Sequence, residues 1–382
     1  MSLGIYIHIP FCHRRCNYCD FYLTTNTKLV DNFVGSLIKE IKLFSSDKRL
    51  KADTIYIGGG TPSILDKPQI ERIFECLYCS FDVAANSEIT VECNPEDVLK
   101  GSNKLIDFRN IGINRISLGV QSFIDNELNF LSRQHNSKQA YDSVLAAIDI
   151  FRNISIDLIY DLPKQDFASV EYNISLISEL DIPHVSAYTL ITEKGTLLYK
   201  HLLNSGCTRD EISNEKLYYL FTDNMKHLGY THYEISNYSQ KGFESRHNLK
   251  YWMFDEYVGF GPSAHSFHDR TRWNNYPNIR KYNDSLESGI SPKENIEELS
   301  LQTMEEDYFI CTLRSRGINK AQYMNLFGKN FDEAFGNVAN SLIDMKLGEN
   351  TSDCFTLTEK GYAIADEITF GFIKSIKNQN EF

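Results

Sequence analysis

No apolar run in the sequence approaches the ~18 residues that a membrane span requires, so an integral membrane protein is not expected. The amino terminus lacks a basic stretch followed by an apolar core, so no secretory leader is expected and the chain is placed in the cytoplasm. Positive charge is also short. Lys and Arg number 39 against 51 Asp and Glu, a formal net charge of −12, which is the wrong sign for a protein whose main partner is nucleic acid. No GxGxxG dinucleotide fingerprint occurs, because the run Gly58-Gly59-Gly60-Thr61-Pro62 has the wrong spacing. The nine cysteines are odd in number and three of them crowd one loop, which does not resemble a disulfide framework.

What is present begins with that loop, Cys12-His13-Arg14-Arg15-Cys16-Asn17-Tyr18-Cys19, placed after a β-like run Ile5 to Ile9 and stopped by Pro10. Thiolates are soft ligands that favour iron-sulfur clusters, zinc and Cu(I). A closed zinc site wants four ligands. Three cysteines on a cubane [4Fe–4S] cluster leave one iron free for a substrate or cofactor. An incomplete zinc knuckle is the competing reading. Cys76 and Cys79 form a second CxxC, but they lie among Phe74, Leu77 and Phe81 on a helical pattern and read as buried small hydrophobes.

Along the chain, β-branched or apolar runs alternate with helical periodicity. A helix is expected from Val30 to Phe44, where apolar residues recur at helical spacing, and another from Lys67 to Cys79. Strands are expected at Thr54–Ile57, Glu88–Glu92, Arg115–Leu118, Ser155–Tyr160 and His184–Leu190. Alternation of this kind implies parallel strands joined by right-handed crossovers. The expected fold is α/β, a partial (β/α)₆ barrel over residues 1–230, with polar residues at the strand ends meeting on one rim. Residues 231–294 form a connecting region. Its runs Arg246–Trp252 and Tyr257–Ser266, dense in His, Trp, Tyr and Gly, are expected as loops returning over the barrel mouth. Residues 295–382 turn helical and look winged-helix-like. They carry eight basic against fourteen acidic residues, so a lid or partner surface is expected there rather than a DNA reader.

The CxxxCxxC spacing, with Tyr6-Ile7-His8-Ile9-Pro10-Phe11, the GGGTP run, Glu92-Cys93-Asn94-Pro95, Gly119-Val120-Gln121-Ser122-Phe123, Asp157-Leu158-Ile159-Tyr160 and His247-Asn248-Leu249-Lys250-Tyr251-Trp252, resembles the coproporphyrinogen-dehydrogenase-like branch of the radical S-adenosylmethionine superfamily. The resemblance covers essentially the whole chain and is nearest to the HemW-type heme chaperones. It implies Cys12, Cys16 and Cys19 as cluster ligands, and Tyr6, Tyr18, Gly59, Gly60, Thr61, Glu92, Gln121, Arg133 and Asp157 around S-adenosylmethionine. It also implies chemistry in which the cluster reduces the sulfonium and cleavage releases a 5′-deoxyadenosyl radical.

Two features favour the chaperone over the dehydrogenase. Phe21 stands where the dehydrogenase has a fourth cysteine, and the HNxxYW motif is intact at His247 to Trp252. Histidine is a usual axial ligand of heme iron, so His247 is the candidate heme ligand and His265 the second. The alternative for His247 is a histidine that bonds its own loop together. The chain departs from the family in having Asp161, Lys164 and Ser263 where glycine is usual. The implied function is to take heme and pass it to heme-accepting proteins, among them respiratory membrane complexes, with a homodimer conceivable. The alternatives are oxygen-independent coproporphyrinogen III dehydrogenation and a radical reaction on an unrelated substrate.

Replacing any one of Cys12, Cys16 or Cys19 with alanine is expected to abolish iron and sulfide incorporation on anaerobic reconstitution. Cys76→Ser and Cys79→Ser should leave both contents unchanged. Metal and sulfide assays on the purified variants check this.

Overall fold

The computed structural model describes residues 2–45, 49–100, 103–205 and 211–380. Six strands follow the chain in order: β1 (Leu3–Ile9), β2 (Lys51–Gly59), β3 (Asp82–Cys93), β4 (Arg115–Gln121), β5 (Asn153–Tyr160) and β6 (His184–Thr189). Each pairs in parallel with the next. Between them run helices such as Val30–Phe44, Lys67–Ser80, Ser137–Ile148 and Phe167–Glu179.

Alternation along these strands has a consequence for the barrel. Side chains point to opposite faces with period two. Ile5, Ile7 and Ile9 of β1 are fully buried, as are Ile55 and Ile57 of β2, Val91 of β3, and Ile116 and Leu118 of β4. They belong to one continuous core with the helix residues Phe33, Leu37, Ile73 and Val144. The other face carries Tyr6, His8, Tyr56, Glu92, Ser117 and Asp157, brought side by side by the register Tyr6↔Tyr56, Glu92↔Ser117 and Asp157↔Ser186. Parallel strands covered by apolar layers on both faces read as continuous apolar runs. These alternate because their inner face surrounds polar groups.

The sheet continues beyond six strands. β7 (Thr231–Glu234) and β8 (Asn237–Ser239) extend it past β6. On the opposite side β9 (Tyr257–Phe260) lies parallel to β1, followed by β10 (His265–His268), β11 (Thr271–Asn275) and β12 (Lys293–Glu298), all antiparallel. β7 and β12 end the twelve-stranded order, so the barrel is open. A smaller sheet of β13 (Ile318–Asn319), β14 (Gly348–Asn350) and β15 (Cys354–Leu357) sits with helices Leu301–Thr312, Phe331–Asp344 and Ala365–Asn380. Its separate core is largely aromatic, with Phe309, Tyr323, Phe335 and Phe372 in mutual contact.

Three expectations change, the first being the loop expected over Tyr257–Ser266, which holds β9 and the start of β10 because Tyr257–Phe260 pairs with the edge of β1. Arg246–Trp252 is a helix, and it stands at the amino-terminal ends of β1 to β3 rather than over the mouth. There Glu88 of β3 accepts bonds from the N–H groups of Arg246 (3.1 Å) and His247 (3.0 Å), an acidic group on a helix amino terminus. Lys250 reaches Asp53 and the carbonyl of Ser2, each at 2.9 Å. Of the second CxxC only Cys76 is buried, and Cys79 is exposed on the outer face of its helix.

The glycine-for-side-chain departures coincide with left-handed backbone. Asp161 (φ +61°), Lys164 (φ +69°) and Ser263 (φ +66°) all occupy it. A side chain there costs about 1–2 kcal/mol, while glycine loses roughly 0.5–1 kcal/mol through its looser unfolded chain. Lys164→Gly and Ser263→Gly are therefore each expected to raise stability by about 0.5–1 kcal/mol. Denaturant midpoints measured at constant slope check it.

Candidate functional site

The thiol loop leaves β1 at Pro10 and is closed at its neck. Thr24 N–H donates to Pro10 O (2.7 Å) and Cys12 N–H to Thr24 O (3.1 Å). Its far end is held by Asn17, whose side-chain amide donates to Phe130 O (2.7 Å) while its backbone carbonyl accepts from Leu198 N–H (2.9 Å). Cys12 is buried, Cys16 and Cys19 are half-buried, and all three are free thiols. Among the described residues no three His, Cys, Asp or Glu side chains converge to hold a single ion. A cubane gives each thiolate a different iron, so its ligands stand wider apart.

Two donors reach the sulfurs. Thr61 Oγ1 donates to Cys12 Sγ (3.3 Å) and Arg133 Nη1 to Cys16 Sγ (3.5 Å). Burial still pushes the Cys12 thiol up to about 11, and burial likewise raises Cys19. The raised Cys12 and Cys19 thiols would be stabilised as thiolates by metal, which displaces the proton. The donor set fits an iron-sulfur cluster with one iron left open.

Arg133 stands at the centre of the rim. Its Nη2 donates to Asn94 Oδ1 (2.7 Å) and to Gly119 O (2.9 Å). Asn94 in turn donates to Thr61 Oγ1 (3.1 Å). Burial opposes the guanidinium charge, but Tyr18, Cys16 and Glu96 outweigh it and keep the pKa above its ordinary value. Arg133 Nε is buried without a hydrogen-bond partner. A buried cation with an unanswered donor suits a carboxylate ligand.

The glycines touch the same rim. Gly60 N–H donates to Ile9 O (2.9 Å), and a Cβ at Gly60 would lie 2.6 Å from Phe11 O. Gly59 has φ +109°, and a Cβ there would strike the His8 ring at 2.6 Å. Neither position accepts a side chain. Gln121 is a non-glycine residue at φ +65°, with its amide folded over Gly119 beside Arg133. Strained backbone of that sort concentrates at ligand sites.

Below the rim, Glu92 accepts from Tyr56 OH (2.8 Å) and Gly59 N–H (3.1 Å). Burial, with the Asp157 carboxylate next to it, raises Glu92 to about 7. Burial raises Asp157 to about 6 against the help of Ser186, Arg115 and Ser117. Tyr6 OH lies 3.1 Å from His8 Nδ1, and His8 Nε2 donates to Tyr22 O (2.9 Å), which assigns the tautomer. Tyr6, Glu92, Gln121 and Asp157 are each partly exposed, and the space their strands curve around is the hollow of the open barrel. A cleft of about 850 Å³ between Arg109, Phe151, Arg152 and Gln240 contains none of the residues singled out from the sequence.

The structure brings the sequence candidates together around this hollow, with one exception. His247 is fully buried at the far end of the barrel, its Nδ1 2.9 Å from Thr54 Oγ1 and its Nε2 2.8 Å from Tyr251 OH. Burial, then Lys250, lowers it to about 3. The ring is neutral with both nitrogens engaged. His265 is exposed beyond the end of β9, close enough to His8 to affect it, and so belongs to the mouth. Sequence reasoning left Asn94, Tyr56, Arg115 and Ser186 out of the site. Arg115 had a signal in strand parity, six residues before Gln121 on β4, and Asn94 lies just beyond the end of β3, whereas Tyr56 and Ser186 are brought in by pairing with Tyr6 and Asp157.

Comparison with known proteins agrees with this geometry. The model of the Radical SAM superfamily matches residues 6–177. The chain is 36% identical over 374 residues to the heme chaperone HemW of Lactococcus lactis subsp. lactis, covering 96% of each. It is 32% identical over 375 residues to the heme chaperone HemW of Bacillus subtilis, covering 96% of this chain and 98% of that one. Coproporphyrinogen III oxidase (HemN) from Escherichia coli, a radical SAM enzyme, superposes with a TM-score of 0.84 at 20% identity, over 97% of this chain and 89% of that one. At that identity the likeness concerns the fold.

Glu92 yields a pH prediction. Its folded pKa, about 7, lies above the ordinary carboxylate value. The folded protein therefore holds a proton that the unfolded chain has released, and this contribution to stability falls as pH rises from the carboxylate range through neutrality. Glu92→Gln should flatten that slope, and stability curves of both proteins between pH 5 and about 8 check it.

Proposed function

We propose that this chain, which belongs to the HemW family of heme chaperones within the radical SAM superfamily, binds heme and hands it to acceptor hemoproteins. The support is kinship along the full chain at 36% identity, joined to a local departure from decarboxylating enzymes. Phe21, 68% exposed beside the thiol loop, occupies the position of the dehydrogenase's fourth cysteine. Phenylalanine offers neither a ligand nor a proton donor to a substrate at the mouth. It does offer an apolar face to a macrocycle.

In this reading Cys12, Cys16 and Cys19 hold a [4Fe–4S] cluster. When bound, the cluster would supply a low-potential electron to the sulfonium of S-adenosylmethionine. The chain's own residues do the rest. Arg133 meets the cofactor's carboxylate, with Tyr18 packed alongside. The backbone of Gly59 and Gly60 allows close approach, and Thr61 steadies Cys12. Asp157 and Gln121 hold ribose hydroxyls. Glu92, with Tyr6 beneath it, accepts from the cofactor's polar hydrogens once deprotonated. His265, exposed at the mouth, is placed to meet a heme iron, whereas His247 would first have to break two hydrogen bonds.

Residues 1–230 carry the cofactors, 231–294 extend the sheet and supply His265, and 295–382, after the rest of β12, form a lid or acceptor surface. Among the described residues no helix is long and apolar enough to cross a membrane, so a respiratory membrane acceptor would be met at its surface. A cytoplasmic location and a homodimer fit the same picture.

One anaerobic sample tests the proposal. Reconstituted protein incubated with coproporphyrinogen, reductant and S-adenosylmethionine should yield no decarboxylated product, while heme titration saturates. Stoichiometric decarboxylation would reverse the assignment in favour of the dehydrogenase.

A further inference from the structure

The HNLKYW helix lies at the floor of the barrel, yet two lines of contact lead from it to the mouth. The His247 ring stacks beneath Tyr56, with centroids 5.3 Å apart and planes inclined by 26°, and beneath Tyr6 at 6.5 Å and 29°. The two tyrosines also stack on each other, at 6.3 Å and 29°. Tyr56 OH donates to Glu92 Oε1 (2.8 Å). Tyr6 OH meets His8, whose other nitrogen donates to Tyr22 O at the base of the thiol loop.

The histidine itself is fixed from three sides. Thr54 holds Nδ1, Tyr251 holds Nε2, and Glu88 accepts from its backbone N–H. A ring bound at both nitrogens and at its own main chain has one orientation. It presents a flat face to the two tyrosines above it. A tyrosine whose ring is set from below aims its hydroxyl in one direction. Remove the ring and Tyr56 gains room to tilt, releasing the carboxylate that faces the cofactor hollow.

We infer that His247 is a positioning residue for the S-adenosylmethionine site, acting through Tyr56 on Glu92. This rests on the reading above that Glu92 borders the cofactor. The Tyr6–His8 branch ties the same platform to the thiol loop. The aromatic and basic character of HNLKYW then follows from its place: His247 for the platform, Lys250 for Asp53, and Tyr251 to close His247's outer nitrogen.

The test is a double-mutant cycle on cluster-loaded protein, read by S-adenosylmethionine affinity from calorimetry, with iron, sulfide and heme contents measured alongside. Binding by the unaltered protein is the control, and its absence would refute the cofactor reading itself. Given that binding, His247→Ala and Tyr56→Phe should each weaken it by about tenfold, the scale of one lost hydrogen bond to a charged group. The double variant should be little worse than either alone, because both act through one contact. Iron, sulfide and heme stoichiometry should be unchanged. Additive losses, unaltered affinity in His247→Ala, or loss of heme with affinity intact would each overturn the inference. If His247→Ala does not fold, His247→Gln takes its place in the same cycle with the same expected outcomes, since its amide keeps partners for Thr54 and Tyr251 while the stacked ring is lost.

Discussion

A β-strand has two faces, and in this barrel they are given to different environments. The outward face meets helices and is apolar without exception in the central strands. The inward face carries two acids, an arginine, histidines and tyrosines in adjacent registers. Polar groups enclosed by protein are tolerated only when their partners are enclosed with them. The interior is therefore built as layers that satisfy one another. At the floor are Thr54, Glu88 and His247, and in the middle Tyr6, Tyr56 and Asp157. Asn94, Arg133 and the sulfurs form the top.

The top layer stays incomplete within the protein. Arg133 has one nitrogen without an acceptor, and two carboxylates close to each other are both pushed toward neutrality. Each of these conditions is relieved by a ligand that is itself both cation and zwitterion. The sulfonium offsets the acids, while the carboxylate answers the guanidinium. The electrostatic state of the hollow is thus complementary to S-adenosylmethionine as a whole, beyond any one contact.

Much of this was legible in the sequence, and the limits have physical causes. The helix expected over Val30–Phe44 has those bounds in the structure, because its apolar spacing is unbroken. The parallel strands were legible from β-branched runs, and the thiol loop from spacing. Thr231–Tyr238, which also carries a strand signal, holds β7 and most of β8, but the strands between Tyr257 and Glu298 were not legible. β12 reads Lys293-Glu294-Asn295-Ile296-Glu297-Glu298 and is mostly exposed, so neither burial nor alternation marks it. The Arg246–Trp252 run looked like a loop because seven residues are too few to display a helical period. Its amino terminus is held by Ser245, which accepts from Asn248 N–H (3.3 Å), and by Glu88, which is distant in sequence.

The strand that carries the thiols is also an interior strand, flanked by β2 on one side and by β9 on the other. Its second neighbour arrives very late, since Ile7 is paired with Phe260. Contacts of such long sequence separation form slowly and after most of the chain exists. During synthesis β1 therefore waits with one edge bare until residue 260 has cleared the ribosome. The strand that leads into the thiol loop is thus flanked on both edges only once two thirds of the sequence has been made.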